Sequence, residues 1–314
     1  MKILAQAPSR VSLFGGGTDI PSYYSLHGGQ VISMAINLRT HLKIFVGEDL
    51  FGHNGNSFPY NADPKLFHAI FTKYGLGSMH HVGIRSEFDG LIRSGLGSSA
   101  SASVALIGGL YRHVGKKLDR AKIAEEAWDI EVNSLGWYGG KQDQYAASYG
   151  GMNLIEFGDK VKVTPFDREA AERIAFSMVL FHIGGTRDSK DIQKGFKQLT
   201  RLQMNTLHQI KRSVITAKNH IEFNYIKGFG QLMNEVWELK KKSNKGVSNS
   251  EIDSIYEYAM QCGALGGKIL GAGQAGYMLF ITEDRNKFIK KMAKRDLYDV
   301  DFSIDYNGVE TRII

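Results

Sequence analysis

The sequence predicts a protein of mixed strands and helices in two successive units, and three observations carry that prediction. Strand-like segments and helical apolar periods follow one another along the whole chain. In the first half, a run of glycines and hydroxyls, Ser94-Gly95-Leu96-Gly97-Ser98-Ser99-Ala100-Ser101-Ala102-Ser103, leads straight into an apolar stretch. In the second half another glycine-rich run, from Gly263 to Gly276, leads into a strand. A length of 314 residues allows two domains, and 43% hydrophobic with 23% charged residues suits a globular chain rather than a disordered one.

From the N-terminus, Ile3-Leu4-Ala5 reads as a strand that ends at Pro8. Alternating Val11 and Leu13 then carry Arg10 and Asp19 to the two ends of a turn made of Gly15, Gly16 and Gly17, with Thr18 after it. Three adjacent glycines cost chain entropy, which favours a close backbone approach to a ligand over an idle loop. Arg10 belongs either to that site or to a surface ion pair. Val31 to Ile36 and Leu42 to Val46 read as further strands, Phe51 to Tyr60 as a polar loop, and Pro64 to Tyr74 as a short helix. Val82 to Ser86 is strand-like, and His80 and His81 before it read as structural rather than metal-binding.

Beyond the Gly95 to Ser99 run, Ala102, Val104, Ala105, Leu106, Ile107 and Leu110 mark a buried helix whose first N–H groups have no intrahelical partner. Those groups and the helix dipole suit a phosphate, and the Ser98 and Ser99 hydroxyls can reach phosphate oxygens or a bound Mg²⁺. A glycine turn with a serine cap on a core helix accounts for the same residues. No lysine follows the second glycine, so the run is not the Walker pattern.

A second helix opens at Asp119 as its cap, shows Ile123, Ala127 and Ile130 on one face, and has Glu131 near its end. Gly139-Gly140 then releases the chain into Lys141-Gln142-Asp143, at the head of a small-residue helix stopped by Gly150-Gly151. Asp143 is there either a cap or the acid of a site. Met152 to Phe157 and Val161 to Thr164 form a hairpin that closes the first half. Met178 to Ile183 is a strand that begins the second unit, followed by Gly184-Gly185-Thr186-Arg187. Leu207, Ile210, Val214, Ala217 and Ile221 keep a helical period, as do Ile226, Phe229, Met233 and Val236, and core packing explains both stripes. A helix near Ile252 to Cys262 precedes the second glycine run, and Phe302 to Ile304 and the chain end are strand-like.

The single cysteine, Cys262, excludes an internal disulfide, and no Cys/His spacing suggests zinc. The first apolar segment is too short for a secretory leader and none is long enough to span a bilayer, so a cytoplasmic location is expected. A net charge of +7 suits nucleic acid, an anionic membrane or phosphorylated small molecules. The basic residues are scattered rather than gathered with aromatics, which points to a small molecule and away from nucleic acid and membrane. The exception, Lys240 to Lys245, reads as a solvated helix end.

Three separated motifs together carry a resemblance: Pro8 to Asp19, Gly95 to Ala100, and Lys268-Ile269-Leu270-Gly271-Ala272-Gly273-Gln274-Ala275-Gly276. In this order and spacing they resemble the three signatures of the GHMP kinases, the superfamily of galactokinase, homoserine kinase, mevalonate kinase and phosphomevalonate kinase. Within it, Gly15 to Asp19 joined to Gly139 to Ala147 is most similar to the D-glycero-D-manno-heptose 7-phosphate kinases, which phosphorylate the anomeric hydroxyl on the route to GDP-linked heptose for surface polysaccharides.

The resemblance implies an α+β fold of two domains: residues 1–170 like ribosomal protein S5 domain 2, and residues 171–314 ferredoxin-like. ATP and a sugar phosphate would meet between them, with a homodimer compatible with the sequence. By match, Gly95, Leu96, Gly97, Ser98, Ser99 and Ala100 wrap the ATP phosphates, Ser99 and Glu131 bind Mg²⁺, Asp143 is the catalytic acid and Arg10 neutralises the phosphoryl group in transfer. Gly15, Gly16, Gly17, Thr18, Asp19 and Gly273 fall on the substrate side, with Asp19 in the place of the sugar-hydroxyl binder of galactokinases. Lys141 either lowers the pKa of Asp143, touches a phosphate, or is a surface lysine. Arg187, with Lys190 nearby, is the candidate seat for the sugar's own phosphate. Gly16 and Gly17 replace the Glu and His of galactokinases, which implies a wider pocket. Gln274 and Ala275 depart from the glycines common in the third motif. A kinase of another sugar and a non-catalytic binding protein of the same fold are the competing readings.

Overall fold

The computed structural model describes residues 1–46, 63–76, 82–91, 95–184, 198–243, 246–271 and 273–314. The expected loop from Phe51 to Tyr60, the pair His80 and His81, and Ser94 lie outside the described residues.

Strand β1 (Lys2–Phe14) and strand β2 (Gly29–Val46) run antiparallel along most of their length, joined through the short helix α1 (Pro21–His27). Contrary to expectation, Pro8 does not end β1. It stands at a register shift between Pro8 and Ser9, a place where a ladder tolerates a missing N–H. The two strands expected at 31–36 and 42–46 are likewise one. The polar residues that interrupt their apolar pattern find partners: Asn37 Oδ1 accepts from Ser303 N at 2.8 Å, and Arg39 is buried in an ion pair with Asp305. β3 (Val82–Phe88) pairs with the outer end of β2 and β4 (Met152–Phe157) with its inner end, and β5 (Lys162–Pro165) completes the expected hairpin.

Helix α2 (Pro64–Lys73) and the long helix α3 (Ser98–His113) cover one face of this sheet, with α3 flanked by α4 (Arg120–Asp129) and α5 (Gln142–Tyr149). Ala105, Leu106 and Leu110 of α3 share a core with Leu66, Phe67, Ile123 and the sheet residues Ala5 and Ile44. Glycine lets α3 lie close: a Cβ on Gly109 would stand 2.4 Å from Ile44 Cδ1. Asp119 caps α4 as expected, its Oδ1 accepting from Lys122 N at 3.1 Å.

After α6 (Arg168–Phe176), the second unit forms its own antiparallel sheet from β6 (Met178–His182), β7 (Gly266–Ile269), β8 (Tyr277–Ile281) and β9 (Asp299–Val300). Its order, β7-β8-β6-β9, is the ferredoxin-like one. Helices α7 (Arg201–Glu222), α8 (Ile226–Ser243) and α9 (Ser250–Cys262) separate the first two strands, and α10 (Arg285–Met292) the last two. One apolar cluster joins the two units: Val11, Leu13, Phe14 and Ile32 pack with Leu207, Ile210, Phe229, Met233 and Leu279. The rings of Phe14 and Phe229 meet edge to face at 5.1 Å.

The chain then returns. Ile304 bridges to Ile36, and β10 (Glu310–Ile313) pairs with β1, so the end of the segment 171–314 belongs to the first sheet. Among the described residues no helix is long and apolar enough to cross a membrane.

Candidate active site

The site begins with a glycine turn. Gly97, left-handed at φ 74°, is the residue that caps α3, so the serine cap weighed from the sequence is not formed. Ser98, Ser99 and Ala100 fall on the first turn, where N–H groups have no intrahelical acceptor and the dipole is positive. The turn is pressed from behind by the second glycine run: a Cβ on Gly95 would stand 2.6 Å from the Leu270 carbonyl oxygen, and one on Gly271 2.5 Å from Gly95 Cα.

Arg10 and Asp143 meet in front of this turn. Arg10 Nε and Nη2 donate to the two carboxylate oxygens of Asp143 at 2.7 and 2.6 Å, and Nη1 donates to the Gly95 carbonyl at 2.6 Å. Arg10 is 6% exposed, while the Asp143 side chain keeps 31% of its surface open, so the bidentate pair presents its carboxylate side to solvent. Asp143 is the second residue of α5 and does not cap it; Lys141 stands at the cap position without a side-chain bond, and the first N–H of the helix, that of Gln142, is taken by Asp19. Gln142 orients the carboxylate from the side: Ser12 Oγ donates to its Oε1 at 2.9 Å, and its Nε2 lies 3.4 Å from Asp143 Oδ1. A Cβ on Gly97 would lie 3.2 Å from Asp143 Oδ2, so the glycine turn and the acid share one wall.

Asp19 meets the N-terminus of α5. Its carboxylate accepts from Gly17 N at 3.0 Å and from Gln142 N at 3.1 Å. Burial pushes its pKa up; the Gln142 N–H works against this, and the charge of Asp143 adds to it. Gly140 makes the approach feasible, since a Cβ there would stand 1.9 Å from Asp19 Oδ2. Gly15, at φ 81°, closes the turn against the Gln30 carbonyl. Thr18 ties the turn internally: it is fully buried, with its hydroxyl 2.8 Å from both the Gly15 and Gln30 carbonyls. It therefore shapes the site from within rather than lining it.

Glu131 stands on a π-helical turn, Ile130–Ser134, that follows α4. Gln144 Nε2 donates to Glu131 Oε2 at 2.9 Å, and Ser103 Oγ lies 3.4 Å from Oε1. Ser103 is one helical turn beyond Ser99, so both serines share the face of α3 that Glu131 approaches. One carboxylate and one hydroxyl suit a Mg²⁺ that takes its remaining oxygens from water and nucleotide phosphates. Among the described residues no group of three or more acidic, histidine or cysteine side chains could cage a metal alone.

Lys141 has a different setting from those weighed for it. Its ammonium pairs with Glu125 at 2.7 Å and sits 4.3 Å from the centre of the Trp128 ring, while Tyr145 donates to the same Glu125 at 2.5 Å. Its charge is thus engaged on the flank of α4. Gly273 rests on Val247, whereas Gly271 packs on Gly95 of the turn before α3. Arg187 and Lys190 lie outside the described residues. The sequence reading assigned no role to Gln142, Gly140 or two lysines, Lys240 and Lys268; the first two lie in the run from Gly139 to Ala147 and Lys268 heads the third motif, while Lys240 carried no signal beyond its basic run.

An anion on the first turn of α3 would lie against a carboxylate that can accept a proton from an alcohol, and the pairing of anion seat and proton acceptor is what moving a phosphoryl group onto a hydroxyl requires. Fold and site together define a phosphotransferase with an alcohol acceptor. The chain belongs to the GHMP kinases: the model of the GHMP kinases N terminal domain matches residues 65–151, and that of the GHMP kinases C terminal domain residues 221–299.

Among its relatives is the D-glycero-alpha-D-manno-heptose 7-phosphate kinase of Campylobacter jejuni, 31% identical over 98% of each chain. A mevalonate kinase of Pyrococcus horikoshii is 26% identical over 93% of this chain and 92% of its own. Among solved structures, a D-glycero-D-manno-heptose 1-phosphate kinase from Bacteroides thetaiotaomicron superposes with a TM-score of 0.78 at 25% identity, over 99% of both chains. GHMP kinases use ATP.

Proposed function

We propose that the protein is an ATP-dependent sugar 1-kinase that phosphorylates the anomeric hydroxyl of D-glycero-D-manno-heptose 7-phosphate, giving the 1,7-bisphosphate for GDP-heptose and surface polysaccharide synthesis. The observation that carries the kinase reading is the bidentate Arg10–Asp143 pair set against Gly97. The heptose reading rests on the relative that shares 31% of its residues over its full length, and on Gly16 and Gly17, which leave room beside Asp19.

In this reading the first turn of α3 receives the ATP phosphates, and Asp143 takes the proton of the 1-hydroxyl as the phosphoryl group arrives. Arg10 keeps Asp143 oriented. Of its five N–H donors, three are engaged, and the remainder can turn to a phosphoryl oxygen. Asp19 binds sugar hydroxyls and Arg187 the 7-phosphate. Ser99 and Glu131 would hold Mg²⁺, which when bound draws charge from the phosphates.

A panel of heptose 7-phosphate, neutral hexoses including fucose and galactose, and mevalonate, read by coupled ADP release and by locating the phosphorylated hydroxyl, tests the proposal. Turnover of the heptose phosphate at the anomeric position at least tenfold more efficient than any other substrate is expected; faster turnover of a neutral sugar would replace it.

A further inference from the structure

Two lysines behind the glycine turns have no part in the mechanism above. Lys268, on β7, is 6% exposed, and its ammonium donates to the Leu13 carbonyl at 3.3 Å. Leu13 lies at a register shift of β1 between Ser12 and Phe14, which takes its carbonyl off the regular ladder. Lys240, near the end of α8, donates to the Gly271 carbonyl at 3.2 Å, and Gly271 is the residue packed on Gly95. Arg10 donates to the carbonyl of Gly95 itself. Arg10, Lys240 and Lys268 thus surround the two packed glycine turns from β1, α8 and β7.

The charges in this cluster do not balance. Arg10 is matched by Asp143 on α5, but among the described residues neither Lys240 nor Lys268 forms an ion pair with any carboxylate. On α8 itself, Glu238 is engaged by Lys241 at 2.7 Å. Lys268 is a buried cation held by a carbonyl, which is costly in an isolated fold, and Lys240 beside it is partly buried; anionic charge brought by a ligand relieves that cost.

We propose that Lys240 and Lys268, with Arg10, form a three-cation seat for the terminal phosphates of the bound nucleotide, closing the phosphate turn from the side opposite the α3 N-terminus. The inference rests on the nucleotide reading of that turn. It makes the C-terminal unit a direct contributor of positive charge to the phosphates.

The resting electrostatics agree. Burial, and then the charge of Arg10, pull Lys240 down to about 8, and burial, Lys240 and Arg10 pull Lys268 well below the ordinary ammonium value. A polyphosphate between these groups restores their protonation, so nucleotide binding takes up protons above pH 8. At pH 8.5 the nucleotide phosphates are already ionised and contribute no proton of their own. A return of Lys240 towards its ordinary value contributes to that uptake.

The test is calorimetric titration of a non-hydrolysable ATP analogue, with Mg²⁺, into the full chain at pH 8.5, in two buffers of different ionisation enthalpy. It is repeated with Lys240→Met, Lys268→Met and Lys240→Arg, and with heptose 7-phosphate in place of the nucleotide. Proton uptake by the wild type is expected, with a smaller uptake in Lys240→Met and in Lys268→Met. Analogue affinity is expected to fall at least tenfold in either Met variant and to recover in Lys240→Arg, with sugar phosphate binding unchanged. Absence of proton uptake by the wild type, an unchanged affinity in both Met variants, or proton uptake driven by the sugar phosphate would overturn the inference; the wild-type measurement decides even if a variant misfolds. Failure of the wild type to bind the analogue at all would instead remove the nucleotide reading and this seat with it.

Discussion

Asp143 is held by Arg10 and by Gln142, and its helix needs nothing from it as a cap. Asp143→Asn keeps the shape and removes the proton acceptor, so kcat should fall about 10²- to 10⁴-fold, with nucleotide binding by calorimetry nearly unchanged. Near-normal turnover would exclude the acid role. Asp19 makes a pH prediction of a different kind. Because burial raises its pKa, the native state binds this proton more tightly than the unfolded chain; the stability it lends is complete below 3.8 and is lost as pH rises through the folded value. Sugar binding that uses the carboxylate runs the other way, weakening as pH falls through a midpoint above 3.8. Titration of sugar affinity against pH should find that midpoint in the wild type, with affinity at least tenfold weaker and that midpoint absent in Asp19→Asn. Nearby glycine runs drew attention to Arg10, Asp19 and Asp143 in the sequence, but left Arg10 and Asp143 with structural alternatives, and their roles came from the resemblance. Lys240 was not legible, since a lysine at the head of a basic run looks solvated until Gly271 is folded over it. Nor was the engagement of Lys141, which depends on Glu125 from the neighbouring helix.

Elements were legible where their signals are local and obscured where a distant partner overrides them. The cap Asp119, the apolar stripes of α7 and α8 and the hairpin of β4 and β5 depend on residues a few positions apart, and they formed as read. Strands β1 and β2 run through residues that single-strand patterning rejects, because Pro8 meets a register shift and Arg39 meets Asp305 from the far end of the chain. The π-helical turn that aims Glu131 has no sequence signature of its own. The junction of the glycine turn with α5 gives the test at this scale. In Gly140→Ala the new methyl must displace the Asp19 carboxylate, so sugar affinity should fall at least tenfold and stability by about 1–3 kcal/mol. Gly158→Ala, where nothing lies within 4 Å, should change neither. Equal effects in the two variants, measured by calorimetry and urea unfolding, would mean that Gly140 does not set the approach of α5 to Asp19.

At the scale of the molecule, the two units are tied twice: once by the apolar cluster between β1, α7 and α8, and once by the chain itself, which leaves the ferredoxin-like sheet and ends on β1. The second tie is polar. Arg39, on β2, donates to both oxygens of Asp305, to Glu310 at 2.6 Å and to the Gly308 carbonyl at 2.7 Å. Burial disfavours the guanidinium charge, but Asp305 and Glu310 outweigh it and hold the group more firmly protonated than usual. Arg39 and Asp305 are 7% and 8% exposed, so deleting one strands the other's charge away from water. Arg39→Met should therefore cost about 3–5 kcal/mol in urea unfolding. Asp305 also accepts from Asn307 N and Gly308 N, a duty its amide can keep. Adding Asp305→Asn to Arg39→Met should accordingly recover a large part of the loss, because the stranded charge is gone while the turn remains. If the double variant is no more stable than the single, the tail is held by the packing of the Arg39 stem and the pairing of β10, and the ion pair contributes little to the return of the chain.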